Sequence, residues 1–212
     1  MKNRNYRIEL EQLVKGLETV PTLLLHACCA PCSSAVLEML AEHFDITVFY
    51  YNPKITDEAE YRKRSLELQK LLREMRLSNP PRFLEGPYDP ERFLRAAEGL
   101  EDQPEGGERC RQCFSLRLSK TGETAKAKGF DYFTTTLTIS PMKNAALLNE
   151  IGESVSAECG VPFLPSDFKK NNGYLRSIEL SKQYDLYRQD YCGCEYSKRE
   201  RDERKKQIPD LC

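Results

Sequence analysis

Seven of the nine cysteines in this 212-residue chain lie in three short clusters. Protein cores usually take cysteine singly, as a small apolar residue. Thiols separated by at most three residues can instead reach one metal centre, or one another. The pattern therefore predicts a thiolate-bound metal or redox centre. The clusters read Cys28-Cys29-Ala-Pro-Cys32, Cys110-x-x-Cys113 and Cys192-Gly193-Cys194.

The first two clusters together offer enough thiolates for one metal centre. Cys28 and Cys29 could be plain core thiols, but polar neighbours, the third cysteine and the start of a helix favour ligation, because a helix N-terminus lowers the pKa of nearby thiols. A lone Cys-x-x-Cys could be a zinc half-site or a thioredoxin-like pair. Four thiolates suit structural zinc or a [4Fe–4S] cluster. The surplus thiols favour redox chemistry over zinc.

The Cys192-Gly193-Cys194 cluster has two open interpretations. Its cysteines are too close in the chain for a relaxed disulfide, in which the Cα atoms lie about 5.5 Å apart. The glycine relaxes the backbone, so a small strained ring could form, and strain would make its disulfide labile. Two reduced thiols, or two metal ligands, are the alternative.

Composition narrows the class of protein. Apolar residues make up 40% and charged residues 31%, and the net charge is −1, so any nucleic-acid surface must be local. We see no apolar stretch near the roughly 20 residues that span a bilayer, and no apolar signal core in the first 20 residues. We therefore expect a cytoplasmic protein with no membrane partner, in a compartment where structural disulfides are rare.

The order of apolar and polar segments predicts an α/β fold. Two apolar runs flank the first cluster and a following helix, which makes a β-loop-α-β unit of a parallel, doubly wound sheet. In such sheets ligands bind at the carboxyl ends of strands, so the cysteine clusters should converge there. The expected strands are 22–26, 46–51, 82–84, 130–139 and 161–164, and the expected helices are 6–19, 32–43, 58–75, 90–98, 113–128, 144–158 and 197–207.

Other residues are weaker candidates for chemistry. Asp89 could supply an oxygen ligand or a proton, although turn formation explains it equally well. His26 is expected to be a packed, hydrogen-bonding residue. The segment 167–174 and the residues after it mix cations, amides and an aromatic ring, which suits phosphate contact and base stacking, with a solvated loop as the default. Its candidate RNA contacts are Lys169, Lys170, Tyr174 and Arg176.

Taken together, the motifs resemble the QueH-type epoxyqueuosine reductases from about residue 22 to residue 197. The resemblance rests on several unrelated motifs in the same order. These are His-Ala-Cys-Cys-Ala-Pro-Cys, Phe-Tyr-Tyr-Asn-Pro, Glu60-Tyr61-x-x-Arg64, Arg-Cys-x-x-Cys, Asp-Phe-Lys-Lys-x-x-Gly-Tyr-x-Arg-Ser-x-Glu-Leu-Ser and Leu-Tyr-Arg-Gln-x-Tyr-Cys-Gly-Cys.

The resemblance implies a fold, a reaction and site residues. The fold would be Rossmann-like, similar to nucleotide-hydrolase or PP-loop domains but without their phosphate loop. The reaction would reduce epoxyqueuosine to queuosine at the wobble position of tRNA, with loss of the epoxide oxygen as water. By motif, the [4Fe–4S] ligands would be Cys28, Cys29, Cys110 and Cys113. Cys192 and Cys194 would form a redox-active disulfide, and Cys32 is a candidate for an additional mononuclear iron.

The remaining expectations concern organisation and partners. We expect an N-terminal helix over 1–21, an α/β iron–sulfur domain over 22–165 and a substrate and redox segment over 166–212 packed on that domain. Removing an epoxide oxygen takes two electrons and two protons. We see no nicotinamide, flavin or cobalamin motif, so an external electron donor is expected. Cys159 and Cys212 receive no role.

Two other functions remain as alternatives. Adenylyl-sulfate reductases also pair Cys-Cys with a distant Cys-x-x-Cys and use a Glu-Cys-Gly motif, but Glu158-Cys159-Gly160 precedes a predicted strand here instead of ending a mobile tail. A non-catalytic, zinc-binding RNA-interaction protein would use the same thiols.

Overall fold

The computed structural model describes residues 4–207 and is built on a parallel sheet. The strand order is β3-β2-β1-β4, so β1 lies inside the sheet with β2 and β4 on either side. This is the α/β architecture that the sequence predicts. The strands are Thr22–Ala27 (β1), Asp45–Tyr50 (β2), Arg82–Glu85 (β3) and Tyr132–Thr135 (β4).

Successive residues of a strand face opposite sides of the sheet, so apolar strand residues line both faces. Helices cover both of these faces. Leu23 and Leu25 belong to one buried apolar cluster, while Leu24 belongs to another on the opposite face. Within residues 4–207, each helix is too short or too polar to span a bilayer. The helices are Tyr6–Lys15 (α1), Ala30–Leu40 (α2), Glu58–Glu74 (α3), Pro90–Ala97 (α4), Glu108–Lys128 (α5), Ala145–Cys159 (α6), Gly173–Gln183 (α7) and Glu195–Gln207 (α8).

Two predicted strands are wrong in extent. The strand predicted over 130–139 ends at Thr135, where the Thr135 hydroxyl accepts the Leu137 N–H and starts a 3₁₀ helix, Thr136–Ile139. The strand predicted over 161–164 makes a single bridge, Phe133 to Phe163, and Pro162 has no N–H to extend a ladder. In both cases local hydrogen bonding overrides β propensity.

Several helix boundaries also differ from the sequence prediction, and two of them matter for the cysteines. Helix α1 ends at Lys15, before Gly16. Helix α2 begins at Ala30, which makes Cys29 its N-cap. Helix α5 begins at Glu108, after Gly107, and an acidic residue in the first turn suits the positive end of the helix dipole. The Cys-x-x-Cys pair therefore lies inside the first two turns of α5.

The residues after 165 pack on the sheet. Phe168, Leu180 and Leu186 belong to the same apolar cluster as β1 and β2. The Asn149 amide of α6 donates to the Ser166 carbonyl and accepts the Ser166 N–H, both at 2.8 Å. The C-terminal segment is thus held against the carboxyl end of the sheet.

Helix α6 is tightly packed where Gly152 meets the Phe163 ring, since a Cβ on Gly152 would lie 2.5 Å from ring carbons. We expect Gly152→Ala to destabilise the fold by about 1–2 kcal/mol in urea titrations, because overpacking of about 1–3 kcal/mol outweighs a helix-propensity gain of up to about 1 kcal/mol. The matched change Gly16→Ala meets only ordinary contacts and should stay within about 0.5 kcal/mol. Equal effects of the two variants would contradict this.

Candidate metal centre

The first cysteine cluster lies directly beyond the carboxyl end of β1. The sulfur atoms of Cys28, Cys29 and Cys32 all lie within 4.8 Å of one another, and those of Cys28 and Cys29 are 3.6 Å apart. Cys28 and Cys29 are buried, while Cys32 is half-buried in the first turn of α2. A strand end followed at once by a helix N-terminus brings these three thiols together.

The three thiols differ in pKa because they are hydrogen-bonded to one another. Hydrogen bonds from Cys29 and Cys32 hold the pKa of Cys28 well below its usual value. The same bond to Cys28 raises the pKa of Cys29 to about 11, and bonds to Cys28 and Cys29 raise the pKa of Cys32 well above its usual value. The group therefore favours one thiolate, the form that binds metals. A metal ion would replace the shared protons.

The other four clustered cysteines line a narrow cavity next to this group. Cys110 and Cys113 lie three residues apart on α5, on one face of the helix. The Gly106 N–H donates to the Cys110 sulfur at 3.2 Å, and burial raises the pKa of Cys113 to about 11. The cavity is lined by Cys110, Cys113, Cys192 and Cys194, together with Lys54, Arg117 and Lys143.

A second, larger cavity of about 300 Å³ adjoins the narrow one. Cys28 and Cys32 line it, and Cys192 lines both cavities. The three cysteine clusters therefore surround one region at the carboxyl edge of the sheet. Other lining residues include Leu137, Ile139, Ser140, Lys143, Tyr174, Arg188, Gln189, Tyr191 and Arg204.

Within residues 4–207, Cys28, Cys29 and Cys32 form the one group of three or more candidate ligand residues whose donor atoms lie within 4.8 Å of one another. Cys110 and Cys113 are near this group but outside it, so the four-ligand set from the motifs stays a prediction. Cys192 and Cys194 are free thiols, and their disulfide also stays a prediction. Cys159 ends α6, and Cys212 lies outside the described residues.

Helix α3 holds the Cys-Gly-Cys segment in position. The buried Arg64 guanidinium donates to the carbonyls of Cys192 at 3.1 Å and Tyr191 at 3.5 Å. Its Nε donates to Glu60 at 2.7 Å, and Glu60 also accepts the Tyr187 hydroxyl at 3.2 Å. Sequence reasoning named Arg64 only as part of the Glu60-Tyr61-x-x-Arg64 motif and assigned it no role, because the carbonyls that it contacts lie far away in the chain.

Lys54 is the second anchor of this segment. It is only 2% exposed, and its ammonium donates to the Cys192 carbonyl and lies 3.5 Å from the Cys192 sulfur. Gly193 has a φ of +124°, and a Cβ there would lie 3.0 Å from both Lys54 Nζ and Arg64 Nη1. Glycine is therefore required for the backbone conformation and for the close approach of two cations.

Nearby positive charges lower the pKa of the Cys192 thiol. Burial raises the pKa of Cys192, but the charges of Lys143, Lys54 and Arg117 outweigh burial and bring the pKa to about 7. Cys194 precedes α8, where the Ser197 N–H donates to its sulfur at 3.4 Å. A thiol with a pKa near ambient pH is well suited to thiol–disulfide exchange.

The residues present fit an anionic iron–thiolate group. Thiolates are soft ligands that select zinc or iron–sulfur clusters. Arg117 is fully buried beside Cys113, and two of its guanidinium nitrogens have no hydrogen-bond partner in the described part of the chain. With Lys54 and Lys143, it supplies positive charge that thiolate ligands would balance.

The candidate RNA contacts divide into two pairs. Tyr174 lines the larger cavity and Lys170 is exposed. Lys169 instead pairs with Asp167 at 2.8 Å, and Arg176 pairs with Glu38 at 2.8 Å and Glu179 at 2.9 Å. A phosphate would have to compete with these carboxylates. Sequence reasoning missed four cations that line the larger cavity, Lys54, Lys143, Arg188 and Arg204.

Two further candidates have structural roles. Asp89 is the N-cap of α4 and accepts the Arg92 N–H at 3.3 Å, as the turn interpretation predicts. His26 is fully buried, with its ring nitrogens 2.9 Å from the Thr135 hydroxyl and 3.1 Å from the Tyr51 carbonyl. Burial lowers the pKa of His26 to about 3, so the ring is neutral.

The fold and the site together define a thiol-rich, Rossmann-like α/β protein with a candidate metal centre at the carboxyl edge of its sheet. Residues 23–200 match the family described as epoxyqueuosine reductase QueH, and the chain belongs to that family of oxidoreductases. The match confirms the resemblance seen in the motifs. Helix α1 lies outside the matched residues.

Individual relatives agree with this family assignment. The epoxyqueuosine reductase QueH of Streptococcus pyogenes serotype M1 is 46% identical over 91% of this chain and 78% of its own length. The protein of that name from Staphylococcus epidermidis is 40% identical over 93% of this chain and 87% of its own length. The one from Thermotoga maritima is 35% identical over 88% of this chain and 95% of its own length.

The cations around Cys192 lead to a prediction about pH. The rate of Cys192 alkylation should rise with pH, with a midpoint near its pKa of about 7. Lys54→Met removes a cation 3.5 Å from the sulfur, so the neutral thiol is favoured and the midpoint moves to higher pH. Peptide-mapped alkylation across pH measures this shift. Lys63→Met, on the exposed face of α3, is the control, and equal midpoints in the two variants would refute the assignment.

Proposed function

We propose that this protein is a cytoplasmic enzyme that reduces epoxyqueuosine to queuosine at the wobble position of tRNA, the last step of queuosine formation. The observation that supports it is the convergence of six thiols on two adjoining cavities at the carboxyl edge of the sheet, with a seventh, Cys29, grouped with Cys28 and Cys32. Family membership supplies the substrate, since the relatives are named epoxyqueuosine reductases. The reaction converts an epoxide, two electrons and two protons into an alkene and water.

The proposed cluster ligands are Cys28, Cys29, Cys110 and Cys113. The [4Fe–4S] cluster, when bound, supplies electrons at a potential set by its charge and its surroundings. Cys32 lies with Cys28 and Cys29 and lines the larger cavity, so it is our candidate for holding an additional mononuclear iron. The Gly106 N–H favours a thiolate at Cys110, and a bound metal would displace the protons that Cys29 and Cys113 otherwise keep.

Cys192 and Cys194 are our candidates for the second store of electrons. Oxidation of two thiols to a disulfide releases two electrons and two protons, the number that epoxide removal consumes. Cys192 lines both cavities, and Lys54 and Arg64 hold its carbonyl. An external electron donor would then return the disulfide to the dithiol.

The larger cavity is the proposed site for the modified base. At about 300 Å³ it is at the small end of ligand pockets, which suits a single extruded nucleotide better than a stretch of helix. Tyr174 on its wall could stack on the base. Lys170 is exposed and could bind a neighbouring phosphate. Lys169 and Arg176 would bind a phosphate only by releasing their carboxylate partners.

No observation favours either alternative function, the adenylyl-sulfate reductase or the zinc-binding RNA-interaction protein. Cys159 ends α6 and its sulfur lies 3.9 Å from the Val161 carbonyl, so the Glu-Cys-Gly motif is part of the packed fold. The matched family bears neither the adenylyl-sulfate reductase name nor that of a zinc-binding RNA protein.

The deciding experiment combines metal analysis with an assay. Protein purified without oxygen should contain iron and acid-labile sulfide at about four of each per chain. With a chemical reductant it should convert epoxyqueuosine to queuosine in tRNA, measured by mass spectrometry of digested nucleosides. Zinc without sulfide, or full iron and sulfide with no queuosine formed, would overturn the proposal.

The ligand assignment gives a prediction about iron content. Cys110→Ala should lose or destabilise the cluster, because the lost thiolate opens one iron to solvent. Cys159→Ala is the matched control and should keep its iron and sulfide. Iron, sulfide and absorbance in the 400 nm region measure the outcome. A Cys110→Ala protein with full iron and sulfide would remove Cys110 from the ligand set.

The dithiol assignment gives a prediction about turnover. Cys194→Ser should keep iron and sulfide and bind tRNA, yet fail in multiple turnover, because the disulfide cannot form. Cys159→Ser should turn over normally. Loss of the cluster in Cys194→Ser would instead make this residue a ligand, and normal steady-state rates would give it no part in the reaction.

A further inference from the structure

Arg117 is a buried charge that the reaction outlined above does not use. It lies on α5, four residues after Cys113, and its side chain is fully buried. Its Nε donates to the Cys113 carbonyl at 3.1 Å. Nη1 and Nη2 have no hydrogen-bond partner in the part of the chain that the structure describes. A guanidinium does not lose its proton in proteins, so burial leaves this charge uncompensated.

The surroundings of Arg117 contain few anions besides sulfur. Arg117 lines the narrow cavity with four cysteines and with three further cations, Lys54, Lys143 and Arg109, of which Arg109 is paired with Glu200. Glu105 is the one carboxylate among the lining residues, and Arg117 forms no salt bridge within residues 4–207. The Phe114 ring, 5.4 Å away, offers only a weak cation–π contact. Thiolate sulfur in this cavity would therefore balance the charge of Arg117.

We infer that Arg117 is a positioning residue for the cluster, whose fixed positive charge stabilises the bound anionic cluster and raises its reduction potential. This inference rests on the proposed ligand set. Thiolate ligands make the cluster anionic, and reduction adds one more negative charge. A neighbouring cation therefore favours the reduced form over the oxidised form. Its bond to the Cys113 carbonyl keeps that cation beside a proposed ligand.

The inference has a consequence that a purely structural arginine would not share. Without the cluster, the uncompensated guanidinium opposes folding, so Arg117→Met should raise the thermal midpoint of the cluster-free protein. With the cluster bound, the same change removes a favourable charge pair and should lower the thermal midpoint. An arginine needed only for packing would lower both midpoints when replaced.

The experiment compares wild type, Arg117→Met and Arg117→Lys as purified, and again after the iron has been removed by a chelator. Anaerobic redox titration, followed optically and by electron paramagnetic resonance, gives the potential of the bound cluster. In Arg117→Met we expect the one-electron reduction equilibrium to fall at least tenfold, a shift of 59 mV to more negative potential. Arg117→Lys keeps the charge and should shift much less. Arg111→Met, an exposed neighbour paired with Glu150, is the control and should shift neither quantity.

The outcomes separate this inference from the proposed function. An unchanged potential in Arg117→Met, or a lower thermal midpoint both with and without the cluster, would overturn the inference alone. Should Arg117→Met assemble no cluster although the cluster-free protein folds, while Arg117→Lys retains one, the inference is supported. A wild-type protein without iron and sulfide would overturn the proposed function, and this inference with it.

Discussion

Two buried cations, Lys54 and Arg117, lie beside the sulfur atoms at the carboxyl edge of the sheet. Much of the surrounding structure holds these cations and sulfur atoms in position. Buried charge is costly unless it is compensated. Thiolates of the three cysteine clusters would compensate it, and β1, α2 and α5 hold two of these clusters at strand and helix ends. The pKa of Cys192 near 7 follows from Lys143 together with these two cations.

The C-terminal segment completes the site because α3 and the loop before it hold the segment in place. Arg64 donates to the carbonyls of Tyr191 and Cys192, and Lys54 donates to the second of these carbonyls. Gly193 permits both contacts, since any side chain would meet the two cations. A dithiol carried on a flexible tail would not keep a defined position beside both cavities. The fold thus holds the proposed electron store beside the proposed site for the base.

The sequence predicted which segments form strands and which form helices. It did not always predict the residues at which these elements begin and end. Apolar runs such as the one over 22–26 mark buried strands in any parallel sheet. The run over 130–139 has the same β propensity, but the Thr135 hydroxyl captures a backbone N–H and ends the strand. Which of two local hydrogen-bonding patterns wins depends on packing from α6 and the following segment. Propensity alone does not carry that information.

The sequence by itself determined which residues could do chemistry, because cysteine spacing of one to three residues is a local property that folding preserves. It therefore identified the three clusters, the parallel α/β fold and the family resemblance. Only the tertiary structure decided which charges are buried beside them. Arg64 is separated from Cys192 by 128 positions, and Arg117 reads as an ordinary surface residue of a polar helix. Their roles depend on what the rest of the chain packs around them, since a cation acts strongly on a thiol only where water is excluded.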